Sequence, residues 1–295
     1  MTSREDWLHG ARPKTLPAAI APVVVGTAIA YFEKGATPVI ALLALVVALA
    51  FQVGVNYSND YSDGIKGTDA DRVGPVRLVG QGLATPAAVK KAALISYAVG
   101  AIAGLLIVAL SGLWILIPAG LACIAAAWFY TGGKNPYGYL GFGEVFVFIF
   151  FGLVAVVGTS FAQTGNYTEL SLLGGVGCGA LSVAILVTNN LRDRTKDMAA
   201  NKKTLAVRIG DKKTRELYRT CILVAFAMPV VMTLLEGGPK FAYISLATML
   251  TARRPLMAVQ NGANGAELIP VLVDTGKLLI LFAISLSVGI SASPQ

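Results

Sequence analysis

Long apolar runs separated by short polar breaks dominate the chain. From Pro38 to Val55, "PVIALLALVVALAFQVGV" places one polar side chain, Gln52, among eighteen residues. At 1.5 Å per residue a helix of that length approaches the roughly 30 Å of a bilayer's hydrocarbon core. Comparable segments fall at about residues 15–32, 38–57, 88–110, 112–130, 141–162, 170–190, 216–235, 239–252 with an extension to about 260, and 270–292. The pattern predicts an all-α membrane protein with nine transmembrane helices, the eighth interrupted by Arg253, Arg254 and Pro255.

Composition agrees: 55% hydrophobic residues and a mean hydropathy of +0.68 over 295 residues exceed what one soluble core would bury. Arg4, Glu5, Asp6, Arg12, Pro13 and Lys14 lead straight into the first run, without the short apolar core and cleavage site of a signal peptide. Lys and Arg near span ends set orientation. With the N-terminus cytoplasmic, 22 of the 24 fall on the cytoplasmic side, leaving only Lys34 and Lys240 outside. This predicts a multi-pass cell-membrane protein with its N-terminus inside and its C-terminus outside. The net charge of +8 is then explained by topology, anionic lipid headgroups and an anionic substrate, with no nucleic acid involved. Cys123, Cys178 and Cys221 lie far apart with no metal-ligand spacing, and His9, the sole histidine, reads as an interfacial side chain.

The polar breaks repeat. Shifting the chain by 130 residues lays "NDYSD", Asn59 to Asp63, over "NNLRD", Asn189 to Asp193, and "VRLVGQG" from Val76 echoes "VRIGDKK" from Val207. Four spans separate the two motifs, so both lie on one side and the repeats are parallel. The expectation is a single domain over 1–295, with pseudo-repeats at about 15–130 and 141–260 and one further helix. Loops on the cytoplasmic side are long, whereas those opposite are minimal, as at Ser111–Gly112, which places the active site on the cytoplasmic face.

Helical spacing puts Asn56, Asn59, Asp60 and Asp63 on one stripe and Asn189, Asn190, Asp193 and Asp197 on another. Carboxylates crowded at membrane depth need a compensating cation, and intramembrane ionisable groups read as functional by default. Oxygen donors without His or thiolate favour magnesium or calcium, and magnesium commonly bridges carboxylates to substrate phosphates. The cations nearby suit phosphate: Lys66, Arg72 and Arg77 follow the first cluster; Arg192, Arg194, Lys202 and Lys203 surround the second; and Lys134 lies between them. A diphosphate carried on a lipid, a polyprenyl diphosphate, is the substrate class this predicts. Tyr130, Tyr137, Tyr139, Phe142 and Phe129 either line the site, with ring faces toward a carbocation, or belong to an interfacial aromatic belt.

At these residues the chain resembles the UbiA-type intramembrane aromatic prenyltransferases, which carry NDxxDxxxD after the second span and DxxxD after the sixth. Asn59, Asp60 and Asp63 match the first motif, and Asp193 and Asp197 the second; Gly67 stands where the last Asp of the first is expected, with Asp69 two residues later. "NDYSDGIKGTD", "RPKTLPAAIAPVVVGTA", "GPVRLVGQG", "PYGYLGFGEVFVFIFFG" and "NNLRDRTKDMAANKKTLAVRIG" are similar to the branch acting on 1,4-dihydroxy-2-naphthoate in menaquinone synthesis, over roughly residues 11–210. The resemblance implies nine helices around a central cavity capped by cytoplasmic loops, with the prenyl tail running toward lipid. It implies Mg2+ on Asn59, Asp60, Asp63, Asp193 and Asp197, with Lys66 as a catalytic cation. Substrate contacts are expected from Asn56, Asn59, Asp69, Arg72, Arg77, Lys134, Tyr137, Tyr139, Asn189, Asn190 and Lys203. The implied reaction joins a polyprenyl group to the naphthoate, releasing diphosphate and carbon dioxide and giving demethylmenaquinone. The alternatives are another aromatic acceptor for the same chemistry, or a secondary transporter. Transporter sites, however, sit near the bilayer midplane, whereas these carboxylates end their spans.

Overall fold

The computed structural model describes residues 2–67 and 76–294, and among them there are helices, turns and connecting segments but no strand. Helix α1 is Arg4–Ala11, α2 Pro17–Phe32, α3 Pro38–Ile65, α4 Pro86–Ser111 and α5 Leu116–Phe129. Next come α6 at Gly143–Val147, α7 at Ala155–Thr164, α8 at Glu169–Ala199, α9 at Leu205–Leu234, α10 at Met249–Gln260 and α11 at Leu268–Ala292.

Each of the nine apolar segments coincides with helix, but their lengths differ. Among the described residues, six helical stretches are long and apolar enough to cross a membrane, and a seventh counts if the pair Arg4–Thr15 and Pro17–Phe32, bent by 50°, is one span. Helix α5 has 14 residues, about 21 Å, less than the hydrocarbon core. The interrupted eighth segment is a 3-10 stretch at Ala242–Thr248 running into α10, with Pro255 buried inside the helix. Helix α9 holds a kink at Gly210, whose φ of 80° suits a residue without Cβ.

Helices α3 and α8 decide where the chemistry goes. They run 28 and 31 residues, about 42 and 46 Å, so each carries its polar motif past the apolar portion. Each also packs along the helix that follows it, α3 on α4 and α8 on α9. Helix α8 is the central element, its Leu181 buried in a core shared with Ile222, Phe226, Leu278 and Phe282, with Phe226 and Phe282 edge-to-face at 5.5 Å. In contrast, α5 has no buried residue. The molecule is therefore packed tightly around α8, α9, α11 and α2, and loosely where α5 closes the other side.

Between Phe148 and Val154 the chain winds as a π-helix. It crosses α8 at glycines: a Cβ on Gly152 would stand 2.5 Å from Gly175 O and from Gly179 Cα. Small residues permit this close approach, which packing alone rewards inside a bilayer. The wider winding changes which side chains share a face, so Phe146, Phe150, Phe151 and Val154 all reach the same cavity wall.

Candidate active site

A cavity of about 590 Å3 opens between α2, α3, α4, α5, the π-helix with α7, and α8, with Leu272 from α11. Helices α9 and α10 contribute nothing to its lining, so the ring is less even than nine helices around one centre. Along α3 the lining residues include Val47, Phe51, Val55, Asn56, Asn59 and Asp63, the recurrence of one helical face. They change from apolar to polar toward the C-terminus, and on α8 Ile185, Leu186, Asn189, Asn190 and Asp197 do the same. One end of the cavity is thus polar and the other greasy.

At the polar end, Asp63 receives the Tyr139 hydroxyl in a short hydrogen bond and pairs with Lys202, Nζ to Oδ1 3.4 Å. Asn59 Oδ1 accepts from Thr131 Oγ1 at 2.8 Å. Asn56 and Gln52 both donate to Thr15 Oγ1, at 2.9 Å each, and Asn56 also donates to Ala11 O at 2.8 Å, which ties α3 to the chain before α2. Asp63 and Asp197 both face the cavity, joined by the cations Arg12, Arg77, Arg192 and Lys202.

Two of the expected metal ligands are arranged otherwise. Asp60 is fully buried and lines no part of the cavity; its Oδ2 accepts from the Leu78 amide at 2.7 Å and its Oδ1 from the Val79 amide at 3.0 Å. One residue on from Asn59 means about 100° around the helix, and that rotation turns Asp60 into the anchor of the loop after α3. Asp193 is 2% exposed and held at both oxygens by Arg192, Nε to Oδ1 2.8 Å and Nη2 to Oδ2 2.7 Å. The expected clamp of four carboxylates is here two facing the cavity and two behind it.

The cations also redistribute. Lys202 is 6% exposed, lines the cavity and lies 4.5 Å from the Tyr139 ring centroid, whereas Lys203 is exposed and meets Tyr139 through its backbone amide, at 3.0 Å from the carbonyl. Lys134 is exposed and outside the cavity lining. Lys66 caps α3, donates to Thr131 O at 2.7 Å and sits 5.0 Å from the Tyr139 ring centroid. Partial burial pushes the Lys66 ammonium below the usual lysine range; Asp63 pulls it up again and Lys202 pushes it further down. Arg77 is 5% exposed and lines the cavity. Asp69 and Arg72 lie outside the described residues. Arg12 stands in the lining although its sequence position suggested only a topology signal; the bend between α1 and α2 brings it there.

Tyr130, Tyr137 and Tyr139 line the cavity, while Phe129 and Phe142 are 54% and 52% exposed and do not. Tyr137 stacks on Phe146 at 4.0 Å, meets Tyr130 edge-on at 5.4 Å, and donates its hydroxyl to Ala126 O at 2.7 Å. These rings stand between the polar end and the apolar end. Asn189 Oδ1 accepts from Arg192 Nη2 at 2.8 Å, and Asn190 Nδ2 donates to Glu144 Oε1 at 2.9 Å. Glu144 had no signal in the motif pattern; its place inside "FGEVF", at the start of a span, was the available one.

Comparison with known proteins meets this geometry. Residues 19–264 match the UbiA prenyltransferase family. The chain is 51% identical over 287 residues to a 1,4-dihydroxy-2-naphthoate octaprenyltransferase of Mycobacterium tuberculosis, an alignment covering 97% of each chain. Among solved structures it resembles a UbiA homolog from Aeropyrum pernix K1, with a TM-score of 0.73 at 15% identity over 94% of this chain and 98% of that one. It also resembles a UbiA homolog from Archaeoglobus fulgidus bound to GPP and Mg2+, with a TM-score of 0.68 at 15% identity over 97% of this chain and 100% of that one. At such identities the two structures bear on the fold alone. The family match over most of the chain, together with a relative half identical along nearly its whole length, shows that the chain belongs to the UbiA prenyltransferase family.

Proposed function

We propose that the protein transfers a polyprenyl group from a polyprenyl diphosphate to 1,4-dihydroxy-2-naphthoate, releasing diphosphate and carbon dioxide and giving the quinol form of demethylmenaquinone. The observation that carries this reading is one cavity with a polar, oxygen-rich and cationic end, an aromatic middle and an apolar end, in a chain so close to a naphthoate octaprenyltransferase. An amphiphilic donor fits that order of surfaces, and the relative's acceptor supports the naphthoate.

Asp63 and Asp197 bring carboxylate groups to the cavity beside the Asn59 amide, a set without His or thiolate of the kind magnesium prefers, so these residues fit a Mg2+ site shared with the diphosphate. Bound there, Mg2+ would supply positive charge against the leaving diphosphate. Arg12, Arg77 and Lys202 add fixed cations at the same end, and preorganised charge of this kind is usually the largest catalytic term. As the allylic C–O bond breaks, its electron pair leaves with the diphosphate. Tyr130, Tyr137 and Phe146 then present ring faces to the allylic cation and keep water from it. The ring carbon bearing the carboxylate forms the new C–C bond, and loss of carbon dioxide returns an electron pair to the ring.

The topology proposed with this function has nine crossings, the N-terminus cytoplasmic, and parallel repeats over α2–α5 and α6–α10. Ala242–Thr248 and α10 together reach about 32 Å, and α5 crosses with the turns at either end. The active site then faces the cytoplasm, where 22 of the 24 Lys and Arg residues fall.

The test uses purified protein, Mg2+ and both substrates. Asp63→Ala and Asp197→Ala are each expected to cut turnover at least about a hundredfold, the scale seen when one preorganised charge partner is removed; near-normal turnover in either removes it from the metal site. An acceptor panel scored for carbon dioxide tests the acceptor. Prenylation of 4-hydroxybenzoate in preference to the naphthoate would overturn the reading.

A further inference from the structure

Glu144, at the start of α6, is 5% exposed and has no part in the steps above. Its Oε1 accepts from Asn190 Nδ2 at 2.9 Å, while its Oε2 is buried without a hydrogen-bond partner. A carboxylate in that condition at the start of a membrane span is costly and reads as functional by default. Glu144 does not line the cavity, but Asn190 does, so Glu144 acts on the cavity through the amide it holds.

The hydrogen bond decides which way that amide points. With Nδ2 turned to the carboxylate, Oδ1 is left as the acceptor of an amide that lines the cavity, with negative charge behind it. A diphosphate or carboxylate oxygen placed there would meet the field of Glu144. A neutral hydroxyl, donating its hydrogen, suits the position. Asn190 also lies seven residues before Asp197, about 10 Å down α8 from the polar end, where the aromatic part of the cavity begins.

We propose that Glu144 and Asn190 form a recognition pair for the aromatic acceptor: Asn190 Oδ1 accepts a hydrogen bond from a ring hydroxyl, and Glu144 is the positioning residue that keeps the amide in that sense. This rests on the aromatic-acceptor reading and gives Asn190, expected as a substrate contact, to the acceptor.

In the purified full-length protein, KM is measured separately for 1,4-dihydroxy-2-naphthoate and for the polyprenyl diphosphate. Glu144→Leu and Asn190→Leu are expected to raise the naphthoate KM by roughly three- to tenfold, the worth of one hydrogen bond, and to leave the diphosphate KM unchanged. Glu144→Gln retains an Oε1 that accepts from Nδ2 and stays close to wild type, the rescue a merely structural loss would not show. Competitive inhibition by 1-hydroxy-2-naphthoate and 4-hydroxy-2-naphthoate gives the second readout. The wild type binds one of them more weakly than the other by the same factor, and Asn190→Leu binds the two alike. A KM rise for both substrates, or discrimination intact in Asn190→Leu, overturns the pair. Should Glu144→Leu not fold, Asn190→Leu and the analogues decide the matter. A wild-type enzyme that prenylates another aromatic acceptor and not the naphthoate defeats the proposed function instead; a KM rise in Asn190→Leu confined to that acceptor then supports the pair, and an unchanged KM overturns it.

Discussion

Asp60 and Asp63 stand three residues apart on one helix and do different things. Asp60 spends both oxygens on the amides of Leu78 and Val79, whereas Asp63 faces the cavity beside Lys202 and Tyr139. Two amide bonds to a buried carboxylate imply that Asp60→Ala lowers the unfolding free energy by about 2 to 3 kcal/mol, read as thermal or denaturant unfolding in detergent. Its turnover is expected to fall less than that of Asp63→Ala, whereas two equivalent metal ligands would lose turnover alike. The lysines separate in the same manner. Lys202→Met is expected to raise the KM for the polyprenyl diphosphate by about tenfold or more through loss of a charge-assisted contact, while Lys203→Met, exposed and bonded only through its backbone, stays near wild type. Residue types and their motif spacing were legible in the chain. Which of two neighbouring lysines or aspartates turns inward was not, because a single residue step rotates a side chain by about 100°.

Element by element, each of the nine apolar segments holds helix, while α1, whose residues are mostly polar, gave no hydropathy signal. The second apolar run finishes near residue 57, and α3 continues to Ile65, in keeping with the helical stripe expected through Asp63. Its last turns are polar, so they carry no hydropathy signal, but tertiary bonds from Asn59 and Asp60 to Thr131, Leu78 and Val79 hold them helical. The π-helix at Phe148–Val154 was likewise invisible, since its glycine contacts lie 23 and 27 residues away at Gly175 and Gly179. Gly152→Val would force two backbones apart. It is expected to cost about 1 to 3 kcal/mol of stability, the usual range for overpacking, and to lower activity by shifting Phe150 and Phe151 in the cavity wall. Thermal unfolding and turnover on one preparation check both effects.

The whole molecule shows what the parts serve: a packed side around α8 and a looser side around α5, with the cavity between. Toward the apolar end the cavity passes Gly104, Gly120 and Gly158, on three different helices, and a Cβ at any of them would meet nothing within 4 Å. That free space suits a long prenyl tail. Gly158→Leu is therefore expected to favour short donors over long ones by about tenfold or more in relative kcat/KM, the steric cost of filling that volume, with competing diphosphates and mass spectrometry of the products as the measurement. Unchanged length preference would place the tail elsewhere.

The amino-acid sequence by itself determined the membrane-embedded helical class, the two polar motifs and the oxygen-and-cation chemistry they carry, because hydropathy, charge and spacing are properties of the chain in order. Only the tertiary structure decided that Asp63 and Asp197 face the cavity while Asp60 and Asp193 stand behind it, that Arg12 and Lys202 join them, and that Glu144 reaches Asn190 across 46 residues. Those outcomes depend on helix rotation and on contacts between distant segments, and neither is written in the local pattern.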